Sequence, residues 1–594
     1  MNEQPQSGWK KPLKTPAGMI AKLFVSSLLG IVIALAVLYL ITAPKGDRKA
    51  SITTIVVVAV LVLACATLFA LVLRRFCHWR NLRRLLVVLG CLATLIGFFY
   101  TIENWRGQRA WTKFKREWEA KGEKFEPRDF IPAPVPDDQN FALTPLAASS
   151  YAAYFDKDGH EIIPHKTNVV NRLSISYGDD YGFNNWPDDG DWTIGIKTDL
   201  AAWQRYYRDL SARTNLFAVP AQPDSPATDV LLALSKYDST VQELREAARL
   251  PYSRFPLTYD NDDPAMILLP HLASLKRCSR FLQLRASAEL QNGQSDRALA
   301  DVKLCLRLVE SVRTEPLLIS HLVRIAMAQI AIQPIYEGIA GHRWSDAQLA
   351  ELSSELAKLD FLADYRFSMR GDMEFIGVGE LDYLERTRKI SPLLNVLNGG
   401  AANGLHGTRS LDLVCWLLPA GWFRQNQVSL CRFWVERGLP LADLDHRTVS
   451  PSAAQRAYAD IDQAIDHPTP YNVWQCVFLP MMKRFFDGYV FVKKYAHAQS
   501  LVDMTRVACT LERFKLATGQ YPETVDAVAP RFIEKRPHDL IGGKPLHYRR
   551  TPSDTFVLYS VGWNETDDGG QVALTKERGG DWEKGDWVWS TEMK

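Results

Sequence analysis

The chain has 594 residues, 47% of them hydrophobic and 23% charged, with 70 Lys plus Arg against 67 Asp plus Glu; this globular composition excludes a disordered or fibrous protein. The net charge of +3 hides an asymmetry, because residues 1–102 hold 12 basic residues and only two acids, Glu3 and Asp47, leaving 58 basic against 65 acidic residues beyond them. The long C-terminal part lacks the basic surplus that phosphate neutralisation requires, which argues against a nucleic-acid partner.

Three uncharged apolar runs open the sequence, at 23–43, 51–73 and 85–102, of 21, 23 and 18 residues. A bilayer core takes about 20 residues of helix. Three transmembrane helices are therefore expected within 23–102, after a cytoplasmic N-terminus at 1–22. Val56, Val57, Val58 and Val60 do not oppose this, since in lipid only a helix satisfies its own backbone. A cleavable signal peptide is the other reading of the first run, but that run is too long and Ile41 before Ala43 is a poor cleavage pattern. Arg74, Arg75, Arg80, Arg83 and Arg84 crowd the loop between the second and third runs and place it in the cytoplasm. Lys45, Arg48 and Lys49 in the outer loop run against the same rule. The expected location is the bacterial inner (cytoplasmic) membrane, multi-pass, with the N-terminus cytoplasmic and the large C-terminal domain periplasmic. No charged residue falls inside the runs, so they read as an anchor in membrane lipid rather than a transport pathway.

Residues 103–145 read as a stalk and linker. A basic, aromatic helix with Trp105, Trp111 and Trp118 suits the membrane interface. The alternating prolines of IPAPVPDD at 131–138 predict an extended spacer. Short strands and loops follow at 146–197, including GDDYGFNNWPDDGDW at 178–192, which reads as a solvated turn because it lacks the bidentate Glu and fixed Gly of a calcium-binding EF loop. Residues 198–484 form a helical-hairpin domain. Asp263 and Pro264 predict the start of a long helix ending at Asn292–Gly293, Ser295 a cap for the next, and Ser345 with Gln348 a capping box. Ala286, Gly293 and Ala298 sit where a tetratricopeptide pair has small residues, but no second copy follows at about 34 residues; an irregular array is expected. The run 411–423, broken by Pro419 and Gly421, is too short for a span and reads as core.

No phosphate-loop, zinc-protease or nucleophile-elbow motif occurs. His446 and His467 lie near carboxylates without ligand spacing. Cys278, Cys305, Cys415, Cys431, Cys476 and Cys509 would be exported, and no CxxC is present; Cys278 and Cys305 face each other across a predicted hairpin, where a disulfide is one reading, but most of these cysteines lie on apolar helix faces, where buried thiols are the default.

In the C-terminal domain, 485–594, the polar residues Gln499, Asp503, Arg506, Thr510 and Arg513 recur at steps of 4, 3, 4 and 3 as a narrow stripe on an otherwise apolar helix. Such a helix must be covered on most sides. Gly519 ends it, with Pro522 beyond. Residues 545–550 and 555–561 predict two strands joined by a turn at 551–554.

This order, carried by LERFKLATGQYPETVDAVAP, GGKPLHYRR, FVLYSVGWNETDDGG and GDWVWS, resembles the globular part of type II secretion major pseudopilins. The helix begins beside Lys493 and Lys494 without the prepilin leader, so polymerisation in the pseudopilin manner is not expected. The resemblance implies one calcium ion on Asn564, Asp567, Asp568 and Asp586, turned about Gly569 and Gly570; a solvated turn is the alternative, since Asn564 replaces the leading acid and Lys576, Arg578 and Lys584 separate the acidic ends. Residues 103–145 and 264–520 also resemble a group of uncharacterised bacterial multi-span membrane proteins sharing ENWRG…RAW and IPxPVPDDQNF.

The expected fold is mainly α and membrane-anchored: three N-terminal transmembrane helices, an irregular helical-hairpin ectodomain and a small α+β pseudopilin-like C-terminal domain. The expected function is a non-catalytic envelope protein whose exported domain binds a protein partner. The alternative is a periplasmic hydrolase with an unrecognised active site in the helical domain.

Overall fold

The computed structural model describes residues 79–151, 172–173, 186–259, 263–264, 267–390, 408–466, 478, 488–529, 531–533, 537–576 and 579–591. The described chain is mostly helical with a few small sheets. It divides into two compact units, one of 1–117, 381–429 and 462–481, the other of 118–380, 430–461 and 482–594.

In the first unit, the third apolar run and the expected stalk are one continuous helix, α1 (Trp79–Glu119). None of its most apolar 18-residue window is buried. The hydroxyls of Thr94 and Thr101 donate to the carbonyls of Gly90 and Gly97, each at 2.8 Å, so neither polar group needs an outside partner. The runs 23–43 and 51–73 lie outside the described residues. By length and composition two described helices could cross a membrane, Arg83–Glu119 and Leu318–Ala340, and the second has 67% of its window buried inside the protein.

Two short helices, Thr408–Leu417 and Ala420–Phe433, make 411–423 core on one side only, with Cys415 and Phe423 buried. Leu413, Trp416 and Leu417 are exposed, and Gly421 is buried. Gly421 and Gly107 meet backbone to backbone, with no room for a Cβ on either. The Gly421 amide donates to Asn104 Oδ1 (2.9 Å), the Trp422 indole to Glu103 Oε2 (3.1 Å), and the Tyr100 hydroxyl to the Leu417 carbonyl. Small residues are what permit such a close crossing.

In the second unit the expected Pro-rich spacer is packed down. Phe125, Phe130 and Phe141 are buried, Arg254 Nε donates to the Pro132 carbonyl (2.9 Å), and Asn140 forms two 2.9 Å bonds with the Arg254 backbone. Proline removes donors but leaves carbonyls, and here an arginine satisfies one. After Leu200–Thr214, Pro226–Leu234 and Asp238–Ala247, a three-helix core forms from α2 (Pro270–Gln291), α3 (Ser295–Ser311) and α4 (Leu318–Ala340). The first of these begins at Pro270, not Pro264; either proline fits a first helical position, and 267–269 instead lie outside any helix, with Ile267 and Leu269 packed against Phe130, Leu317 and Phe375. Gln294, not Ser295, precedes the second helix; the Ser295 hydroxyl instead accepts from the Gln348 side chain (3.2 Å). The capping box of Ser345 and Gln348 is present at the start of α5 (Asp346–Leu356). Ala286 and Ala298 are fully buried at the hairpin; Cys305 is a free, buried thiol, and the buried Cys278 thiol donates to the Leu173 carbonyl at 2.9 Å.

The last long helix, α6 (Gly488–Thr518), packs on α5, α4, Phe361–Asp372 (α7) and the C-terminal sheet. Leu501, Val502 and Ala508 are buried as the pattern requires, but so are Gln499, Asp503 and Thr510 of the polar stripe. Gly519, at φ +88, ends the helix. The expected hairpin is antiparallel, β1 (His547–Arg550) with β2 (Phe556–Ser560), and Trp587–Ser590 (β3) completes the sheet on the far edge of β2. Trp589 stacks on Phe556 with ring centres 5.4 Å apart and closes this layer over the helix. A separate ribbon pairs Val572–Leu574 with Gly580–Gly585.

Candidate functional site

The second unit carries an open cleft of about 660 Å³, within the roughly 300–1,000 Å³ of small-molecule sites. Helical spacing builds its floor. Lys276, Arg280 and Gln283 line it from α2 and Ala326, Gln329, Ile330 and Gln333 from α4, in steps of three and four that keep each set on one face.

One wall is the loop 186–193, the described end of the stretch read as a solvated turn. For the described residues that reading is corrected in part, because the helices bind Asp189 and the Trp192 backbone while Asp188 stays exposed. Arg280 Nε donates to Asp189 Oδ2 at 2.8 Å. Burial pushes the Asp189 carboxyl up and the Arg280 guanidinium draws it back. The Asp189 carbonyl accepts from Gln283 (2.7 Å) and Thr198 (2.9 Å). Gln333 receives the Trp192 amide at 2.8 Å and donates to Ile196 O and Glu337 Oε1. Gly190, at φ +85, lies so close to Gln333 and to the Lys197–Thr198 backbone that a Cβ there would clash.

The other wall is the C-terminal ribbon. Trp582 stacks on His497 of α6 (4.7 Å, 19°), and Trp587 meets the same imidazole edge-on at 4.9 Å. His497 is buried at 3% exposure, and its Nδ1 has no hydrogen-bond partner. Burial first, then the charge of Lys493, pushes the imidazole down to about 3, so the ring is neutral.

Two further ionisable clusters have buried carboxyls away from the cleft. Arg285, Arg297, Glu289 and Asp301 meet at the α2–α3 hairpin, where both carboxyls are pushed up by burial. His271 Nε2 and the Ser320 hydroxyl both bond Glu315, and all three are at most 3% exposed. An acyl-transfer triad needs the serine on the histidine; here both sit on the carboxylate. Among the described residues no group of three or more His, Cys, Asp or Glu could hold a metal ion.

The four residues of the implied calcium loop do come together, but their oxygens serve the chain. Asp586 accepts the amides of Asp568 (3.2 Å) and Gly570 (2.6 Å). Asp567 accepts the Gly569 amide (2.9 Å) and the Tyr559 hydroxyl (3.1 Å), and Asn564 donates to Asp568 (2.8 Å). His446 is exposed on Asp443 (2.8 Å), and His467 and Cys476 lie outside the described residues. Sequence reasoning missed the cleft. Its only local signal is the set Lys276, Arg280 and Gln283, whose common face shows solely when the helix is drawn.

In comparisons with known proteins, no family model, no curated protein and no solved structure matches this chain.

Proposed function

We propose that the chain is a membrane-anchored binding protein of the bacterial envelope and not an enzyme, its folded C-terminal part exported and presenting the cleft to a ligand. The observation that carries the anchor is the apolar window of α1, none of which is buried. That much exposed apolar surface is unfavourable in water and marks a membrane or partner contact. The exposed Leu413, Trp416 and Leu417, held beside Tyr100 by the Gly107–Gly421 crossing, extend it at the level where aromatic side chains favour the lipid interface. Against catalysis, the Glu289–Asp301 and His271–Glu315 clusters lie away from the cleft, and the one imidazole in its lining, His497, is buried against Trp582 and Trp587. The pseudopilin-like order of the last hundred or so residues supports an envelope setting.

Alkaline carbonate washing of membranes from cells expressing the full chain tests the anchor. The protein is expected to remain in the pellet with integral proteins, and its release to the supernatant would overturn the reading.

A further inference from the structure

The open cleft has a chemistry of its own. Two indoles line it from opposite walls, Trp186 and Trp582, both only half-buried. Between them lie hydrogen-bonding groups that the fold does not consume. Asp188 and Asp191 each spend one carboxylate oxygen on their own loop, on the Gly190 amide and on Thr193, and the second oxygen has no partner among the described residues. The Gln329 amide and the Lys276 ammonium likewise have none. His497, buried beneath Trp582, leaves Nδ1 unsatisfied, and a buried polar atom without a partner is costly to leave so.

Charge decides among ligand classes. Three carboxylates line the cleft against Lys276 and Arg280, and Arg280 is committed to Asp189, so a phosphate or carboxylate meets more repulsion than attraction. A cationic guest would be drawn by Asp188 and Asp191, but it offers no acceptor to the Lys276 ammonium or the Gln329 amide and would leave both donors unmatched. An apolar guest would strand the amides and carboxylates, since only Pro187, Ala326 and Ile330 are aliphatic there. What remains is an uncharged molecule with apolar faces and hydroxyl edges. Its C–H faces suit aromatic rings, and each hydroxyl donates and accepts at once, matching carboxylate and amide together.

We infer that the cleft binds a short, uncharged oligosaccharide, seated between Trp186 and Trp582 with its hydroxyls on Gln329, Lys276, Asp188 and Asp191. This rests on the reading of the chain as a binding protein and names the class of its ligand. The cleft accepts a sugar without any bond being made or broken.

The test is titration of intrinsic tryptophan fluorescence in the purified full chain, held in lauryl dimethylamine oxide because that detergent carries no sugar. The probes are N,N′-diacetylchitobiose, maltose and cellobiose, with choline, adenosine and inorganic phosphate as comparators. At least one disaccharide is expected to saturate at millimolar concentration or below. Gln329→Ala and Trp186→Ala, each checked for an unchanged melting temperature, should weaken it at least tenfold. If choline, adenosine or phosphate saturates and no sugar does, the cleft is a binding site of another chemistry and the sugar assignment falls alone. If no probe saturates, the assignment and the binding reading fall together. Sugar binding undiminished in both variants would place the sugar elsewhere and overturn the assignment.

Discussion

Asp372 shows how a single buried carboxyl makes stability depend on pH. It ends α7, and its Oδ1 accepts the first free amide of α4, Leu318 N, at 2.8 Å. Burial pushes this carboxyl up to about 7, with the Leu318 amide drawing it back. In the unfolded chain it ionises near the ordinary carboxylate value, so between about pH 4 and 7 the folded state holds the extra proton. Stability from this group is full below that window and falls as pH rises through it, by at most about 1.4 kcal/mol per pH unit. Asp372→Asn keeps an acceptor for Leu318 and has no proton to lose. Its melting temperature, compared with the parent chain from pH 4 to 7, should show a relative gain that grows with pH; a constant difference would contradict the buried-carboxyl account. Nothing in the sequence around Asp372 announces this role, because its partner is 54 residues away. The capping box of Ser345 and Gln348 was legible for the opposite reason, since both partners lie within one turn.

At the scale of the element, α6 shows what periodicity carries and what it omits. The steps of four and three placed Gln499, Asp503, Arg506, Thr510 and Arg513 on one face and Leu501, Val502 and Ala508 off it, and the latter three are buried. Periodicity does not say what meets the polar face. Here α7 meets part of it: Gln499 Oε1 accepts the Phe361 amide at 2.7 Å. Asp503 is pushed up by burial and held by Arg506 Nη1 at 3.4 Å. Arg506 is therefore a partner of a buried charge, where the stripe alone would have made it a solvent residue. Arg506→Gln is expected to cost about 1–3 kcal/mol, the range for leaving a buried polar group short of a bond, well above the roughly 0.5 kcal/mol of an ordinary surface change. Leu501→Asp, which puts an unpaired charge in the core, should cost more, about 3 kcal/mol or beyond. Denaturant melts of the two variants check the order; an Arg506→Gln chain as stable as the parent would return that residue to the surface. The β1–β2 hairpin was readable because its turn residues are contiguous, whereas the edge position of β3 depends on a pairing about 30 residues distant.

For the whole molecule the proposed topology follows from parity and charge. The exposed apolar window of α1 follows Arg83 and Arg84, and under the positive-inside rule cations on that side would hold it in the cytoplasm. The second long apolar helix, α4, does not alter the count, because two-thirds of its window is enclosed by protein; length and composition could not distinguish it from a span, and packing does. The buried thiols are compatible with either side of the membrane. Cys278, Cys305, Cys415, Cys431 and Cys509 are buried, and burial pushes Cys305 and Cys509 up to about 12 and Cys415 to about 11, so the thiolate needed for exchange is scarce. Alkaline phosphatase, which folds only where disulfides form, is expected to be active when fused after Lys594, and a cytoplasmic fluorescent reporter at the same position to stay dark. The reverse pair of results would put the folded C-terminal part in the cytoplasm, remove the envelope setting, and leave the cleft facing the cell interior.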